Sequence, residues 1–504
     1  MKRAPGVLCA PVAVLMTVAA FAAGPDVKPA VIENAVVKVF ATTLRPDPFK
    51  PWARQAPREV TGTGVIVEGN RILTNAHVVL YASQVQVQAN QSGERISANV
   101  AGIAPGIDLA ILRLEDEALF ASRRPIARSN ALPDVKEPVL AYGYPTGGSS
   151  LSITKGIISR IEFVPYNRPV SGLRIQIDAA LNPGNSGGPA VSGDKMIGLA
   201  FSQLGGAQNI SYIIPNEEID IFLADVADGK YDGKPAIYDE FQKLENPSLR
   251  AFLHLNKSVT GVLVKEPYGT DPGYPLKRWD VITRIGETPI DEEGMIRLGD
   301  HLRVQFQYFV QRIAKQGTVP LTLVRGGREM TVELPAHRAR PMLIDDLRGA
   351  YPSYFVFGPL VFSVVTTQFV DGLANPQWLS QMSLRGNPIV TRRGDRPDAQ
   401  RENLAVVSSP LFPHKLAKGY KSPFGLVVDT LNGRPVKSLN HLVEALRDSK
   451  DELIRIEFFG RDAEALVLPR KECLEATEQI LIDNGVRARG SADTLTVWNA
   501  KPGS

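Results

Sequence analysis

One octapeptide in this chain has the makings of a nucleophile: Asn182-Pro183-Gly184-Asn185-Ser186-Gly187-Gly188-Pro189. A serine hydroxyl attacks only when a base removes its proton. The attacked carbonyl also needs N–H donors aimed at the oxygen that becomes negative. Glycine on both sides of Ser186 permits tight backbone conformations and close approach of a substrate, and the N–H groups of Gly184 and Ser186 are the expected oxyanion hole. Six histidines are available as the base. His77, in Leu73-Thr74-Asn75-Ala76-His77-Val78-Val79, comes just after a β-run among small residues, where a side chain can face a cleft. His254, His301, His337, His414 and His441 have no such setting and are read as structural. Asp108 opens the run Ile107–Leu112 and by itself could be a solvated strand end. Beside His77 and Ser186 it can accept the Nδ1–H of His77, fixing the tautomer and stabilising the imidazolium formed during attack. The chemistry these three residues would perform is acyl transfer.

The elements that must position them are short and β-rich. From Val36 to about Ile214, runs such as Val36–Phe40, Gly64–Val67, Arg71–Thr74, Val85–Gln88, Leu109–Leu114, Val139–Tyr142, Leu173–Ile177 and Met196–Phe201 alternate with Gly, Pro and Asn. Many short strands at this spacing predict a sandwich or barrel. The order His, Asp, Ser suits two barrels, with His77 and Asp108 on the first. Asn216 then reads as the cap of a helix with Ile219, Phe222, Leu223 and Val226 on one face. A polar stretch from Asp228 to Lys234 makes a linker.

Two similar units follow. The first holds Trp279–Ile282, Ile285–Ile290 and a hairpin-like pair around Gly326-Gly327. The second holds Leu431–Val436, a helix-patterned Leu439–Leu446 and the pair Ile454–Phe459 and Ala465–Leu468. This is a duplicated module, not a solenoid period. A helix around Lys471–Asn484, ended by Gly485, closes the chain. The expected division is 1–22 leader, 31–227 protease-like unit, 235–338 and 350–470 the paired units, and 471–504 a C-terminal helix and tail.

These residues resemble the HtrA/Deg family of serine endoproteases. The resemblance rests on Thr61-Gly62-Thr63-Gly64-Val65, the His77 and Asp108 contexts, and Gln176–Asn182 leading to Ser186. Glu240–Pro247 and Pro352–Phe355 followed by Gly358–Phe362 are similar to the plant-type Deg proteases and related bacterial forms. The resemblance implies an all-β, chymotrypsin-like double six-stranded barrel, two α+β PDZ-like domains, the second diverged, and assembly from trimers, which can pair into hexamers. It also implies a specificity pocket lined by Ala180, Leu181 and Asn182 and by Leu199, Ala200 and Phe201. With no acid among them, the pocket is expected to prefer small or medium aliphatic residues. Asp178 is expected to bond backbone turns. Arg160–Gly172 and Ser202–Asn209 would be activating loops. Carboxylate-capturing PDZ loops would fall at Lys234-Pro235-Ala236-Ile237 and Gly358–Phe362, each with a proline that lacks an N–H.

Composition bounds the rest. The chain has 504 residues, 44% hydrophobic and 22% charged, enough for several domains. A net charge of +4 with no basic stripe gives no case for a nucleic-acid partner. There is no phosphate loop for a nucleotide and no zinc or calcium ligand spacing, so no metal and no cofactor are expected. Lys2, Arg3, the apolar run Val7–Phe21 and small Ala20 and Ala22 predict a secretory signal peptide cut after Ala22. That predicts an exported mature protein, periplasmic or otherwise extracytoplasmic in a bacterium, with no membrane span after cleavage. Cys9 would leave with the leader, and Cys473 is expected to be a core thiol. The expected function is ATP-independent cleavage of unfolded or damaged proteins in protein quality control. The alternative is a PDZ-based chaperone or scaffold with minor proteolysis. An esterase shares the triad, but the helix that follows an α/β-hydrolase nucleophile is missing after Ser186.

Overall fold

The computed structural model describes residues 30–166, 170–203, 211–299, 302–373, 375–461 and 463–501. Twelve strands form two closed antiparallel barrels of six. The first contains β1 (Val36–Thr43), β2 (Arg58–Val67), β3 (Arg71–Thr74), β4 (Ala82–Ala89), β5 (Arg95–Ala104) and β6 (Leu109–Leu114), in the order β1-β2-β3-β6-β5-β4. The second contains β7 (Pro138–Gly143), β8 (Ser152–Pro165), β9 (Ser171–Ile177), β10 (Pro189–Ser192), β11 (Lys195–Gln203) and β12 (Ser211–Pro215), in the order β10-β11-β12-β9-β8-β7. Strands closed on themselves leave no edge to pair with another chain. β-Branched residues dominate the interiors: Val37, Val39, Val65 and Ile72 in the first barrel, and Ile158, Ile175, Ile177 and Ile213 in the second. The all-β double-barrel architecture expected from the sequence is present.

The helix Asn216–Asp225 follows β12 and buries Ile219, Phe222 and Leu223 in the core cluster of the first barrel. Asn216 does not cap it. Its amide donates to the Ser129 and Met196 carbonyls, so a tertiary contact has taken the side chain that local propensity assigned to a cap.

The next unit contains a sheet with Glu240–Lys243 at one edge and the hairpin Thr318–Arg325 and Arg328–Pro335 at the other, turning at Gly326-Gly327. Its helix Tyr308–Ile313 faces the second barrel, where Tyr308 meets Phe163 edge-on with centroids 6.1 Å apart. The last region has a three-stranded sheet (Tyr354–Phe357, Leu360–Val364, Ala405–Val407) and a four-stranded sheet that includes Val428–Leu431, Leu453–Phe458 and Leu466–Pro469. Helices Arg470–Asp483 and Ala492–Asn499 are part of this region and no separate tail. Thr494 donates to the Tyr354 carbonyl at 2.7 Å, and Trp498 packs on Phe355 with centroids 5.0 Å apart. Cys473 is fully buried there, and burial pushes its thiol up to about 12. Among the described residues no helix is long and apolar enough to cross a membrane. The leader 1–22, most of 202–209 and residues 167–169 of the first activating loop lie outside the described residues.

Candidate active site

The sequence places His77 one step beyond β3, in the short helix Ala76–Val79, and Asp108 in the turn between β5 and β6. Because β3 and β6 are neighbours, paired from Ile72↔Leu112 to Thr74↔Ala110, both residues emerge at the same end of the first barrel. Asp108 reaches His77 twice. Its Oδ1 accepts the His77 backbone N–H at 2.9 Å, and its Oδ2 lies 2.7 Å from Nδ1. To do so it adopts φ +58°, a left-handed conformation costly for a residue with a Cβ. Asn75 holds it there, donating its amide to the Asp108 carbonyl at 2.9 Å. The Asp108 side chain is 7% exposed and that of His77 45%, so the acid is covered and the base opens to solvent. Burial alone would lower the His77 pKa, but the hydrogen bond and charge of Asp108 outweigh it and the net shift is upward.

Ser186 stands between β9 and β10 on the second barrel and lines the same cleft as His77, Gly184, Leu181 and Asn182. The nucleophile segment is held by the first barrel through Thr63 of β2, which is 0% exposed. The Thr63 N–H donates to the Ser186 carbonyl at 2.8 Å. Its hydroxyl donates to the Gly184 carbonyl at 2.7 Å and accepts the Tyr144 N–H at 2.8 Å. Its own carbonyl accepts the Thr74 hydroxyl at 2.7 Å. Gly184 sits at φ +100°, and a Cβ there would overlap the Tyr144 carbonyl. Gly187, at φ +88°, would overlap the Thr63 carbonyl in the same way. The Pro183 carbonyl accepts the Thr146 N–H at 2.8 Å. A trans peptide sets its N–H opposite its carbonyl, so the Gly184 N–H points away from Thr146. Among the described residues no backbone carbonyl takes the Gly184 or Ser186 N–H.

The expected pocket residues divide. Leu181 and Asn182 line the cleft, with Thr146, Gly147, Val60 and Thr61 opposite and Arg58 and Glu59 at its rim. Ala180 is exposed beside them. Leu199 and Ala200 are not part of its lining: both are 0% exposed, Leu199 packed in the core cluster with the first barrel and Ala200 in that of the second. Phe201, still within β11 and opposite Tyr212, packs against Tyr166 and the Arg174 guanidinium. Asp178 accepts the Ile157 N–H at 2.6 Å, the backbone role expected of it. Sequence reading passed over Thr63 and Asn75 as active-site supports. Each lies within a motif noted above, but an uncharged side chain gives no signal of the carbonyl it will meet.

The two expected carboxylate loops are engaged in the fold, the first at Ala236 and the second throughout its hairpin. The Ala236 N–H and carbonyl are both paired with His337, and Lys234 is buried against Glu218. Gly358-Pro359 is the turn of a tight hairpin, and the strand after it, Leu360–Val364, is paired on both edges, by Tyr354–Phe357 and Ala405–Val407. A peptide cannot add to a strand with no free edge.

A model of the trypsin-like peptidase domain matches residues 62–199, and a PDZ domain model matches residues 345–493. The chain is similar to the mitochondrial protease Do-like 4 of Arabidopsis thaliana, 33% identical over 451 residues that cover 89% of this chain and 83% of that protein. It is similar to the chloroplastic protease Do-like 2 of the same plant, 32% identical over 469 residues, covering 92% and 75% respectively. A solved HtrA-type protease AlgW with tripeptide aligns over 62% of this chain and 96% of its own, at 24% identity and a TM-score of 0.48. The chain belongs to the HtrA/Deg family of Do-like proteases and is a serine endopeptidase.

Proposed function

We propose that Ser186 is the nucleophile, His77 its general base and Asp108 the residue that orients His77. The observation that supports this best is the 2.7 Å Nδ1–Oδ2 contact of His77 and Asp108 at the rim of the cleft that holds Ser186. His77 takes the Ser186 proton as Oγ attacks the scissile carbonyl, and the N–H groups of Gly184 and Ser186 receive the oxyanion. His77 then protonates the leaving amine, giving an acyl-enzyme that water hydrolyses by the same route.

The substrates we propose are unfolded or damaged proteins, since no nucleotide motif is present to drive unfolding and an extended segment must then come from a chain already unfolded. Leu181, Val60 and Val78 around it favour a small or medium aliphatic residue before the scissile bond. The leader-like residues 2–22 support export, and the role in quality control outside the cytoplasm follows from it. The region 235–338 is read as a first PDZ-like unit. With Ala236 paired to His337 and the Leu360–Val364 strand paired on both edges, both units are read as serving docking and assembly, the latter from trimers, before peptide-end capture. The test is turnover of an unfolded protein by wild type and Ser186→Ala. Cleavage lost in the variant with binding retained supports the protease, whereas equal inertness of both towards every unfolded substrate favours a scaffold. Cleavage of a peptide library chiefly after Lys or Arg would sink the aliphatic preference.

A further inference from the structure

His77 lines two recesses. One is the Ser186 cleft. The other, of about 350 Å³, lies beyond Asp108 and is walled by Tyr238 and by the segment that leaves the first PDZ-like unit, including Arg340. Among the described residues His77 is common to both. A peptide whose scissile bond lies at Ser186 must pass His77. Each extended residue advances roughly 3.3–3.6 Å, so side chains a few positions from that bond come over the second recess.

Every charged side chain in this recess has an ion-pair or hydrogen-bonding partner, with one exception. Arg338 is bonded to Asp225, Arg348 to Asp345 at 2.9 Å and Lys234 to Glu218 at 2.8 Å. The acids are engaged too: Asp108 by His77, Asp232 by Lys230 and Asp346 by the Gln368 amide. Arg340 has no carboxylate partner among the described residues. Its Nε is buried without an acceptor, and its guanidinium lies 5.7 Å from the centroid of the Tyr238 ring. A buried donor that meets no acceptor carries its desolvation cost with no return. The group that best answers a guanidinium is a planar carboxylate, which can take two N–H bonds at once.

We propose that this recess is a subsite for an acidic substrate side chain near the scissile bond, with Arg340 as its carboxylate ligand. The inference rests on the reading of Ser186 as nucleophile for where the substrate runs. It makes the segment that leaves the first PDZ-like unit a determinant of cleavage specificity.

The test uses the full chain and peptide pairs identical except for Asp or Glu against Asn or Gln at one position near the scissile bond. Wild type is expected to favour the acid in kcat/KM by about tenfold, equivalent to about 1.4 kcal/mol. The same pairs are titrated onto Ser186→Ala, whose affinity ratio reads the recess without turnover. Arg340→Gln should bring both ratios to about one, and Arg340→Lys should leave them between, because the charge stays and the fork is lost. Arg340→Glu should invert the preference towards a basic residue, a result that misfolding cannot produce. Arg328→Gln, on the exposed hairpin, should keep the wild-type ratios. Ratios of one in wild type and in Ser186→Ala, or ratios that Arg340→Gln leaves unmoved, overturn the subsite. An affinity ratio that depends on Arg340 without any cleavage by wild type would uphold the subsite and defeat the protease reading instead.

Discussion

Thr63 exchanges no proton at neutral pH, yet its hydroxyl and amide hold the carbonyls of both Gly184 and Ser186. Thr63→Val keeps the shape and removes the hydroxyl. The Gly184 carbonyl and Tyr144 N–H would then be left buried and unpaired, at about 1–3 kcal/mol each. The Gly184 N–H that we assign to the oxyanion would lose one of its two anchors. We expect kcat to fall on the order of tenfold or more with KM little changed, and Thr63→Ser to restore it, in steady-state assays on a peptide substrate. His77 gives a second expectation. Its pKa is raised above 6.5, so it stays protonated, and useless as a base, to a higher pH than free imidazole. The acid limb of kcat/KM should therefore lie above 6.5, and Asp108→Asn should move it down while lowering kcat by on the order of 10⁴-fold. For the fold the sign is the reverse. The raised value adds stability below the unfolded pKa, and that contribution is lost as the pH rises through the folded value. Ser186, His77 and Asp108, the triad we propose, stood out in the sequence because each such role needs a particular local context. Leu199 and Ala200 lie buried on opposite faces of β11, and apolar character alone does not tell a packed interior from a pocket wall.

Elements were legible where the apolar pattern was short and strong. β3 and β6 have the limits read from the sequence, and the helix at Asn216 starts where its apolar face begins. The eight runs named above omit four strands: β10 and β12, which are short, and β5 and β8, whose residues alternate buried and exposed irregularly and include Arg, Lys, Ser and Glu. β5 and β8 bulge, between Val100 and Gly102 and between Ile158 and Arg160, which breaks the two-residue period. The junction between elements was less legible still. Glu218, on the helix Asn216–Asp225, is 0% exposed. It accepts the Leu173 N–H of β9 at 2.8 Å, the Lys234 ammonium at 2.8 Å and the Gln311 amide of helix Tyr308–Ile313 at 3.0 Å. A lysine in a polar linker gave no hint that it would be 4% exposed. Removing one partner of a buried pair leaves the other charge unanswered. Lys234→Met should therefore cost about 3–5 kcal/mol, seen as an earlier unfolding transition in denaturant. Glu218→Gln combined with Lys234→Met should recover much of that loss, because no charge then remains buried. An unshifted transition in Lys234→Met would show that Glu218 is satisfied by its amide donors alone.

At the scale of the molecule the last region is latched to the barrel that carries His77. The loop between β1 and β2 puts Phe49 edge-on to Phe369 and Phe424, with centroids 5.5 and 5.3 Å away, and Trp52 against Tyr354 and Phe412 at 6.3 and 5.7 Å. Ser409 donates to the Phe49 carbonyl, and Tyr351 donates to the Leu44 carbonyl at 2.8 Å. Tyr351 also meets Tyr81, which follows the His77 helix, with ring centroids 5.8 Å apart. No periodicity could reveal this, since the partners are hundreds of residues apart and neither side repeats. Interfaces between domains of one chain commonly permit relative motion unless they are large and apolar, so the aromatic latch is what decides. Phe49 is half-buried, and its truncation should cost about 2–3 kcal/mol, below the range for a fully buried ring. Phe49→Ala with Trp52→Ala should leave each region folded, with the same circular dichroism, but increase the radius of gyration in solution scattering. It should also open the 338–350 segment to limited proteolysis. A scattering profile identical to wild type would mean that the hydrogen bonds of Ser409 and Tyr351 suffice to hold the region. If the latch does open, the wall that Arg340 forms beside His77 should loosen with it, and the acid preference should fall without any change at Arg340 itself.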